Sequence, residues 1–374
     1  MSEAAASTSR FRGTSDDVVL EVEDLTVRFA TDDGDVEAVR GLSYSVRRGE
    51  ALGIVGESGS GKSVSSLAVM GLLPRTASVT GSVRILGEEL VGRDDRAMTK
   101  VRGKRIAMIF QDPLTSLTPV YTAGSQIVEA LQAHDRALSD RDARDRAIEL
   151  LGVVGIPDPS RRFDAYPHEL SGGMRQRVVI AIGMANDPDV IIADEPTTAL
   201  DVTVQAQVLD ALQRAKSETG AALILITHDL GVIAGHADRV AVMYAGRAVE
   251  TGTVEDIFYA PRMPYTLGLL GSLPRMDEDR PGRLTPILGT PPSLLHLPTG
   301  CPFAPRCPAA RERCTEEEPQ LVAVDATGAH RSACHFHEEL VGMRSQDLFR
   351  ATARDDVLPD AADVTDVADP EDGR

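Results

Sequence analysis

The 374-residue sequence predicts an α/β fold built around a parallel sheet. Three observations predict it. Short, largely apolar runs of strand length recur at Ala51–Val55, Ile106–Phe110, Val190–Ala193 and Leu223–Thr227. Charge-rich segments with helical character lie between them, at Gln126–His134, Asp140–Val154 and Val204–Thr219. A glycine-rich turn follows the first apolar run directly. Strands apolar at consecutive positions are covered on both faces, and intervening helices supply the cover.

The elements follow in order. Residues 1–16 are polar, lack an apolar signal core and read as a disordered leader. From Val18 apolar residues alternate through Leu20, Val22, Leu25, Val27 and Phe29, then again through Leu42, Tyr44 and Val46 after a turn at Thr31–Asp35. That pattern predicts an antiparallel hairpin with one buried face. The glycine-rich turn opens a helix that Pro74 ends. Arg239–Met243 and Ala248–Thr251 flank Ala245-Gly246 as a closing hairpin, and the core is expected to end near residue 260. Prolines crowd the chain from Pro261, so 261–345 reads as a small loop-rich extension. Residues 346–374 read as an acidic disordered tail: the last 24 residues hold seven Asp, one Glu and two Arg.

Composition excludes several classes. With 57 acidic against 39 basic residues, a net charge of −18 argues against nucleic-acid binding through a general basic surface. No run approaches the roughly 18 apolar residues of a membrane span. Only Lys62, Lys100, Lys104 and Lys216 are lysines, a bias that suits either a salt-rich cytoplasm or a GC-rich genome.

Gly56-Glu-Ser-Gly-Ser-Gly-Lys62-Ser63 sits between a buried strand and a helix, the context of a phosphate-binding P-loop. Backbone N–H groups of such a loop close around phosphates, with help from the helix N-terminus. Gly56, Glu57, Ser58, Gly59, Ser60, Gly61, Lys62, Ser63 and Val64 are therefore expected at the nucleotide. Lys62 supplies a point charge to the β- and γ-phosphates, and Ser63 ligates Mg²⁺. The strand Val190–Ala193 ends in Asp194-Glu195, where α/β sheets bind ligands. Asp194 is expected to hold Mg²⁺, and Glu195 to polarise the attacking water. Leu170-Ser-Gly-Gly-Met-Arg-Gln-Arg177 opens a helix with Ser171, Gly172 and Gly173, a capped start that is also an anion site.

Together these segments resemble the ATP-binding-cassette (ABC) ATPases, over about residues 18 to 260. The resemblance implies an ABC-type nucleotide-binding domain at 17–260. It is a P-loop NTPase with a RecA-like core, an antiparallel β subdomain and a helical subdomain at about 112–175. It further implies that Phe29 stacks on adenine and that Gln111 senses the Mg²⁺ site as the Q-loop glutamine. Asp201, in Ala199-Leu200-Asp201, belongs to the D-loop, and His228 is the switch histidine. Cofactors are ATP and Mg²⁺. A second cassette must close each ATP site, because one P-loop leaves the far side of the γ-phosphate open.

Finer detail resembles the ATPase subunits of dipeptide/oligopeptide importers. It lies in His168–Arg177, Asp187–Pro196, Thr197–Gln205 and the segments Gly289–Leu295 and Gly300–Cys307. Met174 is more like the D-type subunit than its F-type partner. Implied partners are an F-type ATPase subunit, two membrane permeases and an extracytoplasmic solute-binding protein, with the chain at the cytoplasmic face of the membrane. The alternatives are a nickel or other solute importer, or a soluble ABC ATPase without transport. Cys301, Cys307, Cys314 and Cys334 follow a C-x₅-C-x₆-C-x₁₉-C spacing, with His330, His335 and His337 nearby. Four thiols suit a [4Fe–4S] cluster, as some family members carry in this extension, or alternatively Zn²⁺. ATP binding is expected to be independent of them, because the cassette core ends before they begin.

Overall fold

The computed structural model describes residues 17–198, 200–273 and 286–349. The leader 1–16, Ala199 and most of the acidic tail, 350–374, lie outside the described residues.

Strands β1 (Val18–Thr31) and β2 (Gly34–Arg47) form the expected hairpin. They continue into β4 (Ala77–Ile85) and β5 (Glu88–Glu89), giving a four-stranded antiparallel sheet in the order β2-β1-β4-β5. The larger sheet contains β3 (Ala51–Val55), β6 (Ile106–Ile109), β7 (Val190–Asp194), β8 (Ala222–Thr227), β9 (Arg239–Tyr244) and β10 (Arg247–Thr253). Two short strands, β11 (Val322–Ala323) and β12 (Arg331–Ser332), complete the order β11-β12-β10-β9-β3-β8-β7-β6. Strands β6, β7, β8, β3 and β9 run parallel, and β10 turns back on β9 through Ala245 and Gly246, both at positive φ.

Period-two alternation inside the parallel strands divides the interior. Leu52, Ile54, Val190, Ile192, Ile224 and Ile226 share a core with Val22, Leu25, Val27 and Leu42 of the antiparallel sheet. Ala51, Val55, Ile191, Ala193, Leu223 and Leu225 belong to a second core with the helices Ala123–His134, Asp140–Val153, Gly172–Met184 and Val202–Thr219. Thr122, Ser139, Ser171 and Asp201 each accept a backbone N–H at the start of one of these helices, as short polar side chains do at N-caps. The helix after the glycine-rich turn, Lys62–Val69, ends earlier than Pro74.

The extension differs from its expected form. The core does not end near residue 260, because Met263, Tyr265, Leu267, Phe303, Leu340, Leu348 and Phe349 are buried in the second core. Strand β12 hydrogen-bonds β10 with Glu250 opposite Ser332, so this segment widens the main sheet. Tyr244 of β9, Tyr265 and Phe303 form a three-ring cluster with centroids 4.6 to 5.4 Å apart. Glu250, fully buried, meets His330 Nε2 at 2.9 Å, and Glu318 bridges Arg40 and Arg247. Residues 346–349, assigned above to the tail, lie in the helix Ser345–Phe349. Prolines disrupt any 2.0 or 3.6 periodicity here, so the apolar residues are scattered in sequence although they converge in space.

Phe303→Ala removes a side chain 1% exposed at this junction, and is expected to cost about 3–5 kcal/mol. Urea denaturation followed by circular dichroism should give one transition shifted for the whole molecule. A separate early transition that leaves the cassette at its wild-type midpoint would refute the shared core.

Candidate functional site

The glycine-rich turn leaves β3 as a loop and enters the helix at Lys62. Gly61 sits at φ +97°, and a Cβ there would fall 2.4 Å from the Ala38 carbonyl oxygen. Glycine is required by both conformation and space. Lys62, only 4% exposed, donates from Nζ to the carbonyls of Gly56 at 2.7 Å and Glu57 at 2.9 Å. Burial pulls its ammonium below the ordinary lysine value, against the attraction of Glu195, Asp194 and Glu57. Ser60 Oγ, in the same loop, is buried without a hydrogen-bond partner.

Asp194 ends β7, and Ser63 Oγ donates to its Oδ1 at 3.0 Å. Burial holds the Asp194 carboxyl above the usual aspartate range, with the Ser63 hydrogen bond opposing. A hydroxyl beside a partly desolvated carboxylate fits Mg²⁺, which binds through few protein oxygens and completes its shell with phosphate and water.

Glu195 has φ +46°, a left-handed backbone that a non-glycine residue holds at a cost. Its N–H donates to the Ile226 carbonyl at 2.9 Å, which keeps the strained residue against β8. One carboxylate oxygen, Oε2, gathers three groups. Thr198 Oγ1 donates to it at 2.9 Å, Gln111 Nε2 donates at 3.3 Å, and His228 Nδ1 lies 3.4 Å away. Glu57, Ser58, Gly59, Gly61, Lys62, Ser63, Val64, Gln111, Glu195 and His228 line a single open cavity of about 630 Å³, together with Leu269 of the extension.

Other expected site residues lie elsewhere. Phe29 packs at the edge of the antiparallel sheet's core and does not line the cavity. Ser171 and Gly172 are exposed at the start of the helix Gly172–Met184, also outside it. A Cβ on Gly173 would lie 2.3 Å from Val204, so this helix start abuts the one that Asp201 caps. Gln111 bonds Glu195 rather than Ser63 or Asp194. Sequence reasoning missed Thr198, Leu269, Tyr265 and Arg306. Thr198 was legible as a hydroxyl three residues beyond Glu195, but the extension residues carried no signal for this cavity.

Cys301, Cys307, Cys314 and Cys334 line one pocket of about 130 Å³ within the extension. Burial raises the thiols of Cys301, Cys307 and Cys334, Cys307 to about 12 and Cys334 to about 11. Among the described residues, no three His, Cys, Asp or Glu side chains stand close enough to hold a single metal ion. A tetrahedral zinc, with Zn–S near 2.3 Å, needs its sulfurs roughly 4 Å apart. No helix among the described residues is long and apolar enough to cross a membrane.

Fold and site together define a protein of the ATP-binding-cassette ATPase class. The family described as ABC transporter matches residues 39–198. The one described as oligopeptide/dipeptide transporter, C-terminal region, matches 249–314. The chain is 53% identical over 324 residues to the dipeptide transport ATP-binding protein DppD of Bacillus subtilis, covering 86% of this chain and 95% of that protein. It is 51% identical over 302 residues to the oligopeptide transport ATP-binding protein OppD of Salmonella typhimurium, covering 81% and 90%. Against the OppD of Mycobacterium tuberculosis identity is 56% over 351 residues, 93% of this chain, but the chain spans only 57% of that relative's length. The dimeric ATP-binding cassette MJ0796, solved with ADP and Pi in a post-hydrolysis state, superposes with a TM-score of 0.56 at 29% identity. That match covers 63% of this chain and 98% of the other. The chain belongs to the family of ATP-binding proteins of oligopeptide and dipeptide ABC transporters.

Asp194→Asn removes a buried charge while keeping an acceptor for Ser63. The folded state holds the Asp194 proton more tightly than the unfolded chain, so this residue's contribution to stability is lost as pH climbs through its raised pKa. The variant without nucleotide should therefore melt about 2 °C or more above wild type at neutral pH, a gain that shrinks in acid. Differential scanning calorimetry at both pH values checks this, and a lower melting temperature at neutral pH would contradict it.

Proposed function

We propose that this chain is the ATP-hydrolysing subunit that energises import of di- and oligopeptides across the cell membrane. The observation that carries the reading is the convergence of Gln111, Thr198 and His228 on one oxygen of Glu195, at the rim of a cavity walled by the phosphate loop. Lys62 turns from the loop carbonyls to the β- and γ-phosphates of ATP. Ser63 and Asp194 would hold Mg²⁺, which offsets phosphate charge. Glu195 accepts a proton from the water that attacks the γ-phosphorus, and His228 steadies the charge that develops there. As the new P–O bond forms, the bond to the ADP oxygen breaks. Phe29 faces the adenine from the antiparallel sheet.

A partner cassette is part of the proposal. Ser171 and Gly172 are exposed and absent from the chain's own cavity, which suits a helix end that closes the ATP site of a neighbour, with Asp201 at the same face. The neighbour is an F-type subunit, and the pair acts with two permeases and an extracytoplasmic solute-binding protein. A groove of about 540 Å³ lined by Met70, Leu72, Met108, Phe110, Val179 and Ile182 supports a permease helix as its occupant, because Phe110 leads directly into Gln111. Peptide cargo is supported by the names of the relatives and by the C-terminal family match.

For the cysteines the reading is a [4Fe–4S] cluster over zinc, supported by all four thiols lining one pocket. Bound there, the cluster would tie Cys301, Cys307, Cys314 and Cys334 together. Anaerobically purified protein should be brown with about four irons per chain, and Cys307→Ser should bleach it. Stoichiometric zinc without iron would overturn this reading.

In vesicles holding the complete complex, peptide-stimulated ATPase should fall by about 100-fold or more in Glu195→Gln while ATP still binds. Lys62→Ala should instead lose affinity for ATP. The strictly monomeric chain should turn over little. Wild-type turnover by Glu195→Gln, or no response to any peptide in a complex that hydrolyses ATP, would count against the catalytic role or the cargo, respectively.

A further inference from the structure

The extension reaches the phosphate loop through one side chain. Arg306, between Cys301 and Cys307, is 5% exposed, and its Nη1 and Nη2 donate to Glu57 Oε2 and Oε1 at 2.6 and 2.9 Å. Its Nε donates to the Leu288 carbonyl at 3.1 Å, and Nη1 also reaches Tyr244 Oη at 3.3 Å. The Glu57 carboxylate, hydrogen-bonded to the guanidinium, holds Arg306 above its ordinary range. On the main chain, the Glu57 N–H donates to Tyr265 Oη at 2.8 Å. Both the side chain and the backbone of the second P-loop residue are therefore held by residues that follow Pro261.

Glu57 is an awkward residue in that place. It lines the cavity that would receive a triphosphate, and an unpaired carboxylate there repels the phosphate oxygens. The Arg306 fork cancels that charge and draws the carboxylate toward the extension, with the bidentate geometry that guanidinium and carboxylate share.

We propose that Arg306 is a positioning residue of the nucleotide site: by pairing with Glu57 it holds the phosphate loop open to ATP, so the cysteine-bearing extension is a working part of nucleotide binding. The inference rests on the ATP site proposed above. It also reverses the expectation that ATP binding is indifferent to the cysteine segment, because Arg306 adjoins Cys307 in sequence and takes its place from the same fold.

Calorimetric titration of the full chain with MgATP and MgADP tests it. Arg306→Gln should weaken MgATP about 10- to 100-fold, since it leaves a partly buried carboxylate uncompensated, and should weaken MgADP less. The double variant Glu57→Gln/Arg306→Gln should recover MgATP affinity to within about threefold of wild type, which a purely architectural role of Arg306 would not allow. MgATP affinity of Arg306→Gln within about twofold of wild type, or a double variant as weak as the single, would overturn the proposal. Should Arg306→Gln fail to fold, Arg306→Lys keeps the charge and loses the fork. It should bind MgATP about 3- to 10-fold more weakly at an unchanged melting temperature, and unchanged affinity would overturn the proposal equally. A wild-type chain that binds no MgATP would bring down the site reading itself, whereas an unaffected Arg306 variant would leave that reading standing.

Discussion

A buried lysine with no apolar alternative governs the architecture. Lys62 is an ionisable side chain, yet it sits at the junction of β3 and its helix almost out of solvent. The fold surrounds it with two loop carbonyls and with the fields of Asp194, Glu195 and Glu57. Two of those carboxylates are neighbours at the end of β7 and the third lies in the loop after β3, and each has its own restraint. Asp194 is held by Ser63, Glu195 by its bond to β8 and by Thr198, and Glu57 by Arg306. The order of β3, β8 and β7 in the parallel sheet brings these groups to one end.

Glu195 carries the clearest local conflict. A glutamate in the left-handed region is disfavoured by its own backbone, and the surrounding sheet overrules that preference. The consequence is an oxygen held by hydrogen bonds from Gln111 and Thr198 and flanked by His228. Gln111 precedes the helical segment and His228 follows β8, so a shift in either element moves a partner of the same carboxylate. The helical layer and the strand end of β8 therefore meet at one carboxylate.

The extension contributes a third restraint. Its rings around Tyr244, its strand beside β10 and its buried His330–Glu250 pair make it continuous with the cassette. A proline-rich segment with few apolar residues gains order by borrowing the cassette's core. In turn Leu269 lines the cavity beside the glycine-rich loop, and Tyr265 and Arg306 hold Glu57 at its edge.

The sequence by itself determined what depends on neighbours along the chain. The alternation in β1 and β2, the all-apolar strands, the cap at Ser171, and the P-loop are each specified within a few residues, where local sterics and periodicity act. It also brought out Lys62, Ser63, Gln111, Asp194, Glu195 and His228, because those positions carry family motifs. Only the tertiary structure decided which oxygen Gln111 addresses, that Phe29 stands apart from the phosphate cavity, and that Leu348 and Phe349 are core. It alone joined Arg306 to Glu57, two residues 249 positions apart in sequence. No period or spacing encodes such a pair, because its geometry arises only when a parallel sheet folds its distant strands together.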